Sequence, residues 1–191
     1  MQITVYSASS GQVPQTYIKA AHELGRLIAL GGHTLVNGAG RTGLIGACAD
    51  ACLANGGKAV GVIPQFMIDQ GWQHTGMTRL EVTPNMHRRK ELMAEMSDAC
   101  IALPGGVGTF EELLEIITWK QLGLYLKPIV VLNTGGYYDP LLQQLQRAVD
   151  EQFMRSQHAA IWQVAATPAE ALQLAQTTPL WDKSVRKFAA M

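Results

Sequence analysis

Charge is scarce in this chain, and it cancels. Fifteen Lys and Arg stand against fifteen Asp and Glu, and charged residues make up 16% of the 191 residues. A formal net charge of zero excludes bulk electrostatic attraction to nucleic acid or to an acidic membrane, while leaving room for a local basic pocket. Cysteine is rarer still. Three of them, Cys48 and Cys52 in a predicted helix and Cys100 in a predicted core strand, make no disulfide framework and read as buried reduced thiols. No apolar run is long enough to span a bilayer. The opening Met1-Gln2-Ile3-Thr4-Val5-Tyr6 lacks a basic segment and goes straight into a strand pattern. No secretory signal is therefore expected, and a cytoplasmic location follows. Motifs such as H-E-x-x-H are missing and the five histidines are scattered, so neither a metal nor a cofactor is expected.

What is present is a hydrophobic content of 48% and a regular alternation of strand-like and helix-like segments, without linker composition or an internal repeat. Strands are predicted at 2–7, 33–37, 58–63, 80–83, 98–103, 129–132 and 160–165. Helices are predicted at 14–30, 44–55, from 85 onward, at 110–122, 140–153 and 168–175. Such alternation argues for a Rossmann-like α/β fold, a doubly wound parallel sheet with ligands at the carboxyl ends of its strands. The length suits one domain over 1–191, with 177–191 as a tail that docks or frays. Residues 64–78 have no clear period and are too long for an idle connector, so they form a candidate flap.

The densest signal is Leu103-Pro104-Gly105-Gly106-Val107-Gly108-Thr109-Phe110-Glu111-Glu112-Leu113, between a buried strand and a helix start. Glycine lets backbone turn tightly and approach a ligand, and the amides and dipole at a helix N-terminus favour an anion such as phosphate. A second turn, Gly38-Ala39-Gly40-Arg41-Thr42-Gly43, matches G-x-G-x-x-G. The acidic residue that a dinucleotide fingerprint requires about twenty positions later is missing. It reads as a close-packed turn lining a nucleotide pocket.

Two helices have faces that a simple core does not explain. After Asn85, Met86, Arg89, Met93 and Met96 share one face, and Arg88, Glu91 and Glu95 the opposite one. Arg88 is then solvated, whereas Arg89 lies on the apolar face and needs an anionic partner, a carboxylate of this chain or a ligand. His87 and Lys90 flank that face. In the helix from 110, Phe110, Leu113, Leu114 and Ile117 form one stripe, and Glu112, Ile116 and Trp119 a second. A helix apolar on two sides is covered twice, by another helix or by a second subunit, and a homodimer with the site near its interface is expected. Glu111 points about a quarter turn from Glu112, toward solvent.

Met86-His87-Arg88-Arg89-Lys90 and Pro104-Gly105-Gly106-Val107-Gly108-Thr109-Phe110-Glu111-Glu112 resemble the M-x-x-R-K and P-G-G-x-G-T-x-x-E motifs of the LOG ("lonely guy") family. Its members are cytokinin riboside 5′-monophosphate phosphoribohydrolases, often labelled lysine decarboxylases by inheritance. The likeness runs from Ile3 to Phe153 and includes Gly43-Leu44-Ile45-Gly46, 117–123 and 133–137. It implies a Rossmann-like fold, a dimer, and hydrolysis of the N-glycosidic bond of a purine or cytokinin nucleoside 5′-monophosphate, such as AMP, to free base and ribose 5-phosphate. Position by position, Arg89 and Glu112 match the family's catalytic pair. Gly105, Gly106, Val107, Gly108 and Thr109 match its phosphate loop, Lys90 and Thr118 its substrate contacts, and Ser9 and Gly40 the lining of the nucleotide. Two departures, Ser7-Ala8-Ser9-Ser10 for the usual C-G-S-S and Gly38-Ala39-Gly40 for the usual G-G-G, with Asn37 before it, fall where the nucleotide would lie.

Cleaving a nucleoside bond builds positive charge on the ribose. A carboxylate such as Glu112 can stabilise that charge, hold ribose hydroxyls or activate water. Arginine does not give up its proton, so Arg89 acts electrostatically. Three readings compete: a non-catalytic nucleotide or phosphorylated-cofactor binder on the same fold, a PLP-dependent decarboxylase using Lys90, and an interaction module that would leave Arg89 and the glycine loop unexplained.

Overall fold

The computed structural model describes residues 1–182 and Ser184. Its strands are β1 (Gln2–Tyr6), β2 (Thr34–Asn37), β3 (Lys58–Pro64), β4 (Arg79–Thr83), β5 (Ala99–Ala102), β6 (Ile129–Leu132) and β7 (Gln163–Ala165). Its helices are α1 (Gln15–Leu30), α2 (Gly43–Ala54), α3 (Gln65–Asp69), α4 (Met86–Met96), α5 (Val107–Gln121), α6 (Asp139–Asp150) and α7 (Pro168–Thr177). The strands form one sheet in the order β4-β3-β2-β1-β5-β6-β7, and every neighbouring pair is parallel. This is the doubly wound Rossmann-like sheet that the alternation predicts.

Side chains alternate across the sheet as strand geometry demands. Ile3, Val5, Leu35, Ile101 and Val130 face α1, α2 and α7, while Tyr6, Val36, Cys100 and Val131 face α4, α5 and α6. Both faces are therefore dry, which is why the strands read as short apolar runs. From β1 the chain first winds outward through β2, β3 and β4, then returns to pair β5 on the other side of β1. That reversal opens a crevice between the carboxyl ends of β1 and β5, the place where such sheets bind ligands.

Three segments differ from expectation. Residues 64–78 contain the short helix α3, too brief to show a period. Helix α5 begins at Val107, inside the glycine loop, three residues before the predicted start. Val107, Gly108 and Thr109 add nothing to an apolar stripe, and Gly108 is a poor helix former, so periodicity cannot see that first turn. The last strand starts at Gln163, because Ser156–Ala160 is a 3-10 turn and Ile161 and Trp162 are buried by packing.

Two of the three residues in the second stripe of α5 are covered by the chain itself, and Trp119 is half-buried. Ile116 is 2% exposed and Glu112 8%, so no second subunit is required to bury those two. Leu114, Leu122 and Leu124 are exposed along and just beyond α5, as is Val107 at its start. In the tail, the Trp181 amide donates to the Leu126 carbonyl at 2.7 Å, while Lys183 and 185–191 lie outside the described residues.

Candidate active site

The site is assembled from three carboxyl ends of strands and the N-termini that follow them. After β5 the chain turns through Pro104 and Gly105, and Gly106 is the N-cap of α5 without any side-chain cap. The first amides of a helix have no partner inside it, and here no side chain of the cap residue takes them. They are left for a ligand. A Cβ at Gly105 would run into the Thr109 side chain, so the turn requires glycine there. After β1 come Ser7, Ala8, Ser9 and Ser10, and after β2 come Gly38, Ala39 and Gly40. A cleft of about 330 Å³ is lined by Ser7, Ser9, Gly38, Gly40, Arg89, Gly106, Gly108, Thr109 and Glu112, with Met67 and Met86 on its apolar side.

Arg89 reaches this cleft from α4. Asn85 caps that helix by accepting from the Arg88 amide at 2.9 Å. On the solvent side Arg88 pairs with Glu91 and Glu95, as the helical faces predict. On the buried side the Arg89 Nε donates to the Val62 carbonyl at 3.2 Å, and its guanidinium lies 3.4 Å from the Glu112 carboxylate. The guanidinium fits only because residue 38 has no side chain: a Cβ at Gly38 would occupy its place. The partner that the sequence demanded for Arg89 is thus Glu112, and both are 8% exposed. Burial pushes the Glu112 carboxyl up to about 7, against Arg89, which pulls it down.

Other expected site residues sit elsewhere. Lys90 is buried outside the cleft, with its amine bonded to Glu111 and, at 3.1 Å, to Glu115. Burial works to lower its pKa, but those two hydrogen bonds prevail and hold the ammonium above its usual range. Glu111 is exposed, as its helical angle indicates, and pairs with Lys90 at the rim of the cleft, which it helps to line. A Schiff-base amine must be free and neutral, and Lys90 is neither. The Thr118 side chain is exposed and bonds back to the Leu114 carbonyl at 2.8 Å, outside the cleft. Val107 exposes its side chain and contributes only backbone to the helix start.

The structure adds detail to lining groups that the sequence placed near the nucleotide. The Ser7 hydroxyl is buried and has no hydrogen-bond partner among the described residues, which leaves it for a ligand. Ala39 adopts φ +59°, a conformation that costs a non-glycine residue about 1 kcal/mol or more. The Asn37 side chain compensates by accepting from the Ala39 amide at 2.9 Å and donating to the Ile45 carbonyl at 3.2 Å. The two departures around that turn, Asn37 and Ala39, are therefore physically linked. The 64–78 segment borders the cleft through Met67 and is tied to this turn by a bridge between Gly40 and Gln73.

A family model described as "Possible lysine decarboxylase" matches residues 45–175. The cytokinin riboside 5′-monophosphate phosphoribohydrolase of Rhodococcoides fascians is 46% identical over 153 residues, covering 80% of this chain and 77% of its own. The probable cytokinin riboside 5′-monophosphate phosphoribohydrolase LOGL2 of Oryza sativa subsp. japonica is 40% identical over 188 residues, 98% of this chain and 77% of its own. Among solved structures, the molybdenum cofactor binding protein of Rippkaea orientalis superposes with a TM-score of 0.71 at 23% identity, covering 92% of this chain and 95% of that one. That likeness speaks to the fold alone. With relatives matched along nearly its whole length and a family model spanning well over half of it, this chain belongs to the LOG family.

Proposed function

We propose that the protein hydrolyses the N-glycosidic bond of a purine or cytokinin nucleoside 5′-monophosphate to free base and ribose 5-phosphate, as the names of its relatives indicate for them. The observation that carries this reading is the buried Arg89–Glu112 pair beside an uncapped helix N-terminus. A buried ion pair rarely stabilises a fold better than apolar side chains would, so its presence in a cleft points to chemistry.

The roles follow from the chemistry. The amides and dipole at the start of α5 hold the 5′-phosphate. Glu112 lies near the ribose, where its carboxylate stabilises the oxocarbenium-like charge as the base departs and water adds. Arg89 orients that carboxylate and favours its ionised form against burial. Ionisation of Glu112 then sets an ascending limb near pH 7 in the rate profile. Lys90 acts from behind, fixing Glu111 and Glu115 on α5. The exposed Leu114, Leu122 and Leu124 support a homodimer through this side of α5. Three free, buried cysteines suit a reducing cytoplasm, and one continuous sheet supports a single domain.

The test is incubation with AMP, an N6-substituted adenosine monophosphate and other nucleoside monophosphates, with free base and ribose 5-phosphate both measured. Stoichiometric release by the wild type, lost in Glu112→Gln, is expected. Binding without release of any base would instead mark a nucleotide carrier.

A further inference from the structure

The anion-binding turn is held from behind by two tyrosines that belong to neither its strand nor its helix. Both follow the short turn Thr134–Gly136 after β6. The Tyr137 hydroxyl donates to the Gly105 carbonyl at 2.6 Å, and the Tyr138 hydroxyl to the Leu103 carbonyl at 2.7 Å. The Tyr137 ring is also packed, with centroids 5.6 Å from Tyr17, 6.3 Å from Phe110 and 5.2 Å from Tyr138. Phe110 lies in the first turn of α5, so Tyr137 touches both halves of the anion-binding element.

In a trans peptide the carbonyl and the following N–H point in opposite directions. No cis peptide occurs among the described residues. With the Gly105 carbonyl drawn toward Tyr137, the Gly106 amide is turned away from it, toward the cleft that Gly106 lines. Glycine on both sides makes this peptide free to rotate in the absence of such a tether. The bond from Tyr138 has no such consequence, because residue 104 is proline and carries no N–H.

We propose that Tyr137 is a positioning residue for the phosphate half of the substrate, fixing the Gly105–Gly106 peptide so that its amide faces the ligand. This rests on the nucleoside monophosphate reading of the site. Tyr138, equally bonded, serves stability alone.

The experiment compares the wild type, Tyr137→Phe and Tyr138→Phe by product inhibition, with ribose 5-phosphate and adenine as separate probes. Phenylalanine keeps each ring and removes only the hydroxyl. Tyr137→Phe is expected to weaken ribose 5-phosphate by about five- to tenfold, the effect of losing one oriented hydrogen bond. Its adenine inhibition constant stays unchanged, and KM for the nucleotide rises more than kcat falls. Tyr138→Phe is expected to lower Tm and leave the ratio of the two inhibition constants untouched. A wild type that binds ribose 5-phosphate together with a Tyr137→Phe variant of unchanged ratio overturns the proposal alone. A wild type that neither cleaves AMP nor binds ribose 5-phosphate overturns the reading of the site, and this proposal with it.

Discussion

Glu112 is held where a carboxylate is least comfortable. Its pKa rises from 4.5 to about 7 because burial outweighs the attraction of Arg89. Between those values the folded chain binds more protons at this site than the unfolded chain does. Stability therefore falls as pH rises through the window, by a total on the order of 3 kcal/mol. Urea unfolding of the wild type at pH 5 and pH 8 should show this loss, and Glu112→Gln should lack it while losing about a hundredfold or more of turnover. Arg89→Met removes the attraction and leaves the desolvation, so the ascending limb of its rate profile moves to higher pH. A limb that stays in place in Arg89→Met would separate Arg89 from the ionisation of Glu112.

Helix α5 carries a second buried charge at its other end. Lys120 is 1% exposed, donates to the Lys127 carbonyl at 2.8 Å and lies 5.5 Å from the Trp181 ring. Burial pushes its amine down from 10.5 to about 8. Between about 8 and 10.5 the unfolded chain binds more protons than the folded one, so stability rises with pH there. At pH 7 the ammonium is still mostly charged and its burial costs stability. Lys120→Met should raise Tm by about 2–4 °C at pH 7, with the gain fading by pH 10. Calorimetry at both pH values checks it, and a loss of Tm at pH 7 would mean that the bond to the Lys127 carbonyl and the Trp181 contact outweigh desolvation. The helix is thus charged at both ends, with only the head turned toward the cleft.

At the scale of the whole molecule, the question is what covers the outer face of α5. Glu112 and Ile116 of its second stripe are already buried inside the chain and Trp119 is half-buried, so the case for a dimer rests mainly on Leu114, Leu122 and Leu124. Helix α6 adds to it, for none of its residues is fully buried although Leu141, Leu142 and Leu145 lie on its apolar side. Sedimentation at micromolar concentration should give a dimer for the wild type and a monomer for Leu114→Glu with Leu122→Glu. A monomeric wild type would leave these leucines as ordinary exposed apolar side chains.

Much of this architecture was written in local patterns. Short continuous apolar runs between helical stripes specify a parallel sheet, because only a sheet dry on both faces buries them all. The helical angle at Arg89 demanded an anion, since a guanidinium on an apolar face cannot stay unpaired. The angle between Glu111 and Glu112 separated the surface carboxylate from the buried one. Sequence spacing could not say that Arg89 and Glu112 meet, for they lie on different helices, brought together by the crossing at β1 and β5. Nor could it place Lys90 behind the cleft, bonded to Glu111 and Glu115, or Tyr137 on the carbonyl of Gly105. Those contacts depend on long-range packing, which no window of neighbouring residues contains. The sequence by itself determined which groups must be buried, and the tertiary structure decided which of them face one another.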